Sequence, residues 1–132
     1  MKIALAQLDL HIGNFEGNLE KMQGMVTKAK ALKADLILFP ELSTCGYPPR
    51  DFLEFDDFIR KSYASVEALK ETAHGIAIVV GSPSRNPNPE GKDLFNSAFV
   101  LFDGKIQHLN RRIRFADKII KFQKITRRIT AR

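Results

Sequence analysis

The segment LILFPELSTCGYPPRD, residues 36–51, decides how the rest of the chain is interpreted. Four apolar residues lead to Pro40, and a single carboxylate, that of Glu41, follows. A loop rich in glycine and proline begins at once, and such sequence does not continue a strand. The pattern predicts a buried strand with a charged group at its carboxyl end, where open α/β sheets place ligands and catalytic groups. Glu41 is therefore a candidate general base.

The composition is typical of a single globular domain. The chain has 132 residues, of which 44% are hydrophobic and 27% are charged. No apolar run is long enough to span a bilayer, and the N-terminus lacks the apolar core of a signal peptide. With one cysteine, Cys45, no internal disulfide can form, and we expect a cytoplasmic protein. The histidines and aspartates show no metal-binding spacing, so that no metal is expected.

The charge is distributed very unevenly along the chain. Residues 105–132 contain ten basic residues and one acid, whereas residues 1–104 contain eleven basic and fourteen acidic residues. The tail 111–132 also has apolar residues at helical spacing, which predicts a basic amphipathic helix. Such a helix suits a small nucleic-acid-binding or subunit-pairing module, and this is the alternative function. We do not expect nucleic-acid binding, because a tail without selected sequence can be basic by accident.

The periodicity of the remaining chain predicts the order β-α-β-α-β-β-β, with the helices on one face of the sheet. Asn18 is the predicted N-cap of the first helix. Asp103 and Gly104 form a tight turn between the last two strands. The predicted helices are Leu19–Leu32 and Phe58–Thr72, and residues 82–93 are predicted to form a polar loop. The predicted strands are Lys2–Leu8, Asp35–Pro40, Ile76–Gly81, Leu94–Phe102 and Lys105–Leu109.

Several separate blocks, in the right order, give the chain a specific family resemblance. They are ALAQL (4–8), ADLILFPEL (34–42), GYPPRDFL (46–53), VVGSP (79–83) and NSA (96–98). Together they resemble the nitrilase (carbon–nitrogen hydrolase) superfamily, and the GYPPRD variant resembles the glutaminase domains of glutamine-dependent NAD synthetases. The resemblance covers about residues 1–110. It divides the chain into the N-terminal part of a hydrolase domain, 1–110, and a basic tail, 111–132, that is not family sequence.

The resemblance implies an α-β-β-α sandwich, present here in part and followed by the basic helix. It also implies a Glu-Lys-Cys triad that hydrolyses the side-chain amide of glutamine. Glu41 matches the family's glutamate. Arg112 stands where the family has its lysine, although arginine differs from lysine in shape and reach. Tyr47 is implied to line the substrate pocket, and packing against Pro48 and Pro49 is an equally good interpretation of this residue.

The resemblance also implies what lies outside this chain. The family's cysteine nucleophile belongs to a strand beyond residue 132, and Cys45 is not its equivalent. We therefore expect a truncated chain that is inactive alone. Its partners would be glutamine and a synthetase domain, or other nitrilase-type subunits. The chain itself would hold no cofactor, because ATP and magnesium would bind to the synthetase domain that uses the released ammonia to make NAD.

Overall fold

The computed structural model describes residues 1–88 and 90–110, with side chains described as far as residue 107. The predicted order of elements is confirmed over this range. The predicted basic helix, Arg112 and the segment 111–132 lie outside the described residues. The elements are β1 (Ile3–Leu5), α1 (Phe15–Ala31), β2 (Leu36–Leu38), a short 3-10 helix (Arg50–Glu54), α2 (Asp56–Lys70), β3 (Ala77–Arg85), β4 (Leu94–Phe102) and β5 (Lys105–Asn110).

The five strands form one mixed sheet in the order β1-β2-β3-β4-β5. β1, β2 and β3 are parallel. The helices α1 and α2 each carry the chain back to the end of the sheet at which the preceding strand began, so the next strand runs in the same direction. β3, β4 and β5 are antiparallel neighbours. The register pairs Ile78 with both Ile37 and Leu101, so that these three side chains share one face.

Both helices pack on that face, as predicted. The core lies between the helices and the sheet, and its members are nearly all inaccessible to solvent. On the opposite face, Ile3 and Leu5 of β1 are 41% and 72% exposed. None of the described helices is long and apolar enough to cross a membrane. The central contributors to the core are Met22 and Val26 of α1, Val66 and Leu69 of α2, and Ile37, Ile78, Val80, Phe99 and Leu101 of the sheet.

The start of the first helix was predicted wrongly. α1 begins at Phe15, four residues before the predicted Leu19, and its N-cap is Asn14 rather than Asn18. The Asn14 side-chain oxygen accepts a hydrogen bond from the backbone N–H of Gly17, 3.1 Å away. Asn18 is instead a buried residue inside the helix.

The predicted strand bounds also needed correction around the loops. β3 continues to Arg85, four residues past the predicted end at Gly81, because Gly81–Arg85 pair residue by residue with Leu94–Ala98 of β4. Ser82, Pro83 and Ser84 are therefore strand residues and not part of a polar loop. β1 and β2 are shorter than predicted, with three residues each.

Candidate active site

Glu41 lies where β2 leaves the sheet. The backbone N–H of Phe39 still donates to the carbonyl of Val79, at 2.9 Å, so the chain is held to β3 until two residues before Glu41. The Glu41 side chain itself is exposed to solvent. The structure thus places this carboxylate at the carboxyl end of a parallel strand, as the sequence predicts.

The loop that follows Glu41 is tied to itself and to β3. The backbone N–H of Gly46 donates to the carbonyl of Leu42, at 2.9 Å, and the Ser43 hydroxyl donates to the carbonyl of Pro40. The Thr44 hydroxyl donates to Ser82 Oγ of β3, at 2.8 Å, in a fully buried position. A buried hydrogen bond of this kind is costly to leave unmade. The backbone that carries Glu41 is therefore held in one place.

Gly81 allows β3 to approach this loop closely. A Cβ atom on Gly81 would lie 2.5 Å from the backbone N of Leu42 and 3.0 Å from the carbonyl oxygen of Pro40. Any side chain at this position would collide with the backbone on both sides of Glu41. The VVGSP block contributed to the family resemblance, but no local signal in the sequence indicated this packing role.

A second anchor joins the loop to the segment between β1 and α1. Asn18 Nδ2 donates to the carbonyl of His11, at 2.8 Å, and to that of Thr44, at 3.4 Å, while Asn18 Oδ1 accepts from the N–H of His11, at 2.9 Å. Gly46 has φ +85, and a Cβ there would lie 2.6 Å from the backbone N of Ile12. The loop after Glu41 is thus fixed on two sides by buried contacts.

The Glu41 carboxylate has one hydrogen-bond partner within the described part of the chain. Asn96 Nδ2, on β4, donates to Glu41 Oε1. Because Phe99 and Leu101 of β4 face the helices, the alternation of the strand places Asn96 on the opposite face of the sheet. Sequence reasoning used Asn96 only as part of the NSA block. Strand alternation could have predicted its face, but nothing in the sequence predicted its contact with Glu41.

Cys45 is buried within the same loop. Its thiol is fully inaccessible and lies 3.5 Å from the carbonyl oxygen of Gly46 and 3.7 Å from that of Leu42. Burial raises the pKa of the Cys45 thiol to about 11, so that the thiolate is scarce at neutral pH. Since the thiolate is the nucleophile in cysteine chemistry, this is the environment of an inert cysteine.

The other candidate residues remain predictions. Tyr47 is 65% exposed on the loop, and no hydrogen bond joins it to Glu41. Arg112 lies outside the described residues, and its role at the site stays a prediction. No group of three or more potential metal ligands occurs among the described side chains, which are those of residues 1–88 and 90–107.

Comparison of the sequence with known protein families identifies the family of this chain. The model of the carbon–nitrogen hydrolase family matches residues 2–130. The chain belongs to the carbon–nitrogen hydrolase family. The match extends past residue 110, and the boundary proposed there stays a prediction.

The most informative curated relatives of this hydrolase-family chain are glutamine-dependent NAD(+) synthetases. The protein of Acinetobacter baylyi is 39% identical over 105 residues, which is 80% of this chain and 19% of the relative. That of Synechocystis is 40% identical over 109 residues, 80% of this chain and 20% of the relative. The chain therefore spans about a fifth of the length of these relatives.

Solved structures agree with the nitrilase-type fold predicted from sequence. The glutamine-dependent NAD+ synthetase of Acinetobacter baumannii, solved with ADP, superposes with a TM-score of 0.75 at 35% identity, covering 85% of this chain and 20% of that one. An amidase from Nesterenkonia superposes with a TM-score of 0.73 at 25% identity, covering 86% of this chain and 43% of the amidase. The five-stranded sheet and two helices thus correspond to part of the nitrilase-type fold.

Proposed function

We propose that this chain supplies the general base of a glutamine amidohydrolase site whose ammonia is used in ATP-dependent NAD synthesis. One observation carries the proposal: the exposed Glu41 carboxylate stands at the carboxyl end of β2, on a loop that β3 and Asn18 hold in place. A base needs such a fixed position within reach of the proton that it takes. Similarity to synthetases that use glutamine supports the choice of substrate.

In the proposed reaction Glu41 takes the proton of a cysteine thiol as the sulfur attacks the amide carbon of glutamine. The carbon–nitrogen bond then breaks, Glu41 returns the proton to the leaving nitrogen, and ammonia and a thioester result. Water hydrolyses the thioester to glutamate and regenerates the thiol. A cation near the carbonyl oxygen stabilises the tetrahedral state, and Arg112 is the candidate for this role in the chain.

The attacking cysteine is proposed to come from polypeptide outside these 132 residues. Cys45 is the only cysteine of the chain, and its thiol is buried and largely protonated at neutral pH. The chain alone is therefore expected to leave glutamine intact. ATP and magnesium would be bound by a separate synthetase part, which would be the partner that uses the ammonia.

The test is ammonia release from glutamine, measured for the purified chain alone and in a mixture. The mixture contains the Acinetobacter baylyi relative without the segment that matches this chain. We expect no release by either component alone and release by the mixture. Glu41→Gln, which keeps the shape but cannot take a proton, should abolish that release, whereas Cys45→Ser should leave it unchanged.

Three results would contradict the proposal. Release by the mixture that persists with Glu41→Gln would remove Glu41 as the base. Release by the chain alone that is lost with Cys45→Ser would show that the nucleophile is internal. A mixture that forms a complex but releases no ammonia from glutamine would exclude glutamine as the substrate.

A further inference from the structure

We infer that Asn96 is a positioning residue for Glu41: it holds Oε1 of the carboxylate and leaves Oε2 free to take the proton. The inference rests on the proposed function, because it assigns Glu41 the role of base. Its structural basis is the hydrogen bond from Asn96 Nδ2 to Glu41 Oε1. The two residues are 55 positions apart in the chain: Glu41 lies on the loop after β2, and Asn96 lies on β4.

Glu41 needs such a partner because its backbone is fixed but its side chain is not. The loop bonds hold the main chain, yet an exposed glutamate side chain still samples several rotamers. Catalytic groups must be held within about 0.5 Å of the productive geometry. Among the described side chains, those of residues 1–88 and 90–107, Asn96 makes the one hydrogen bond to this carboxylate, and no ion pair adds to it.

The chemistry of an asparagine suits this task. Its carboxamide donates a hydrogen bond without adding a charge beside the carboxylate. A lysine or arginine in the same place would strongly favour the ionised form and so oppose uptake of a proton. An aspartate of the same size would lose the donor and add a like charge. Asn96 can therefore orient Glu41 while leaving it able to act as a base.

The position of Asn96 in the sheet supports this role. It pairs with Pro83 of β3, three residues along from Val80, and it projects from the face opposite the helices. β3 is also the strand that contacts the Glu41 loop through Gly81 and Ser82. The same strand thus fixes both the loop that carries Glu41 and the neighbour that carries Asn96, which sets the distance between the two side chains.

The first arm of the test observes the contact without any activity. In the full 132-residue chain labelled with ¹⁵N, the side-chain amide signals of Asn96 are assigned by their loss in Asn96→Ala. Glu41→Ala should move these signals upfield, because the hydrogen bond is lost, and should leave the signals of the exposed Asn88 in place. Signals of Asn96 that do not move would overturn the inference.

The second arm measures catalysis in the mixture used for the proposed function. Asn96→Ala should lower kcat about 10- to 100-fold with KM changed less than about 2-fold, because a misplaced base slows the chemical step more than binding. Asn96→Asp keeps the size of the side chain and should be equally slow, whereas a role in packing alone would leave it active. Asn88→Ala is the matched control and should behave as the unmodified chain.

The two arms separate failure of the inference from failure of the proposed function. If the unmodified mixture releases ammonia and Asn96→Ala keeps full kcat, the inference is wrong and the proposed function stands. If the mixture forms a complex but releases no ammonia, the proposed function fails, and the amide signals alone decide whether Asn96 holds the carboxylate. Movement of the Asn96 signals together with loss of kcat supports both.

Discussion

Substitution of Gly81 by alanine tests the close approach on which the site is built. The new Cβ would lie 2.5 Å from the backbone N of Leu42, and an ordinary contact begins at about 3.4 Å, so these atoms must separate by about 0.9 Å. The same Cβ would lie 3.0 Å from the carbonyl oxygen of Pro40 and 3.1 Å from the carbonyl carbon of Glu41. All three neighbours are backbone atoms, so no side chain can rotate away to relieve the contact.

The expected cost follows from that displacement. Overpacking of a tight site costs about 1–3 kcal/mol. Moving the loop from β3 also stretches the bond from the Thr44 N–H to the Gly81 carbonyl, which is already 3.3 Å long. We expect Gly81→Ala to lower the free energy of unfolding by about 1–3 kcal/mol, even though alanine is favoured over glycine within a strand by about 0.5–1 kcal/mol.

The assay is urea denaturation followed by far-UV circular dichroism, with Gly24→Ala as the matched control. Gly24 is an exposed residue of α1, and no neighbouring atom lies within 4 Å of the position that a Cβ would take, so the same substitution should raise the free energy of unfolding by about 1 kcal/mol. The two alanines should therefore move stability in opposite directions. If Gly81→Ala were as stable as the unmodified chain while Gly24→Ala behaved as expected, the close approach of β3 to the loop would be refuted.

Three further predictions concern the loop after Glu41 and its buried contacts. Thr44→Val removes the buried donor to Ser82 and should lower the free energy of unfolding in urea by about 1–3 kcal/mol; Thr44→Val combined with Ser82→Ala should cost less than the two single changes added. Asn18→Ala breaks two partly buried bonds to His11 and a buried bond to Thr44, so it should cost more than Asn14→Ala, which removes an exposed cap worth about 1 kcal/mol. Equal losses would contradict the anchoring role. The pKa of Cys45 is raised from 9.0 to about 11, so the unfolded chain loses this proton first, and stability relative to Cys45→Ala should be constant below pH 9 and fall between pH 9 and 11.

Much of the fold could be predicted from the sequence because its signals are local. The apolar run before Glu41, the helical spacing of the second helix and the turn at Asp103 each act over a few residues. The start of α1 could not be resolved in this way, because Asn14 and Asn18 are equally good capping residues. A contact distant in sequence decided between them: Asn18 is buried in the helix and donates to the carbonyl of Thr44, 26 residues away, which leaves Asn14 as the cap.

The candidate site was predictable only in part, for the same physical reason. The end of an apolar run placed Glu41 at the carboxyl end of β2, but its partner comes from β4, two strands away. That contact depends on the register of β3 against β4 and on the absence of a side chain at Gly81. The residues that determine this register and this close approach lie far from Glu41 in the chain. The sequence around Glu41 therefore predicted the carboxylate but not its partner Asn96.

Glu41 and Asn96 meet on the face of the sheet that the helices leave uncovered. The face that carries Ile37 and Ile78 is filled by the helices, so a substrate cannot approach Glu41 from that side. Glu41 and Asn96 meet on the opposite face, where both are exposed, and an exposed pair of this kind contributes little to folding. Substitutions of these two side chains should therefore change catalysis with almost no effect on stability, whereas substitutions of the anchors behind the loop, such as Thr44, should change both. Because the reacting groups are exposed on the face of the sheet that the helices do not cover, the site must be completed from that face, and the proposed external cysteine has to arrive from there.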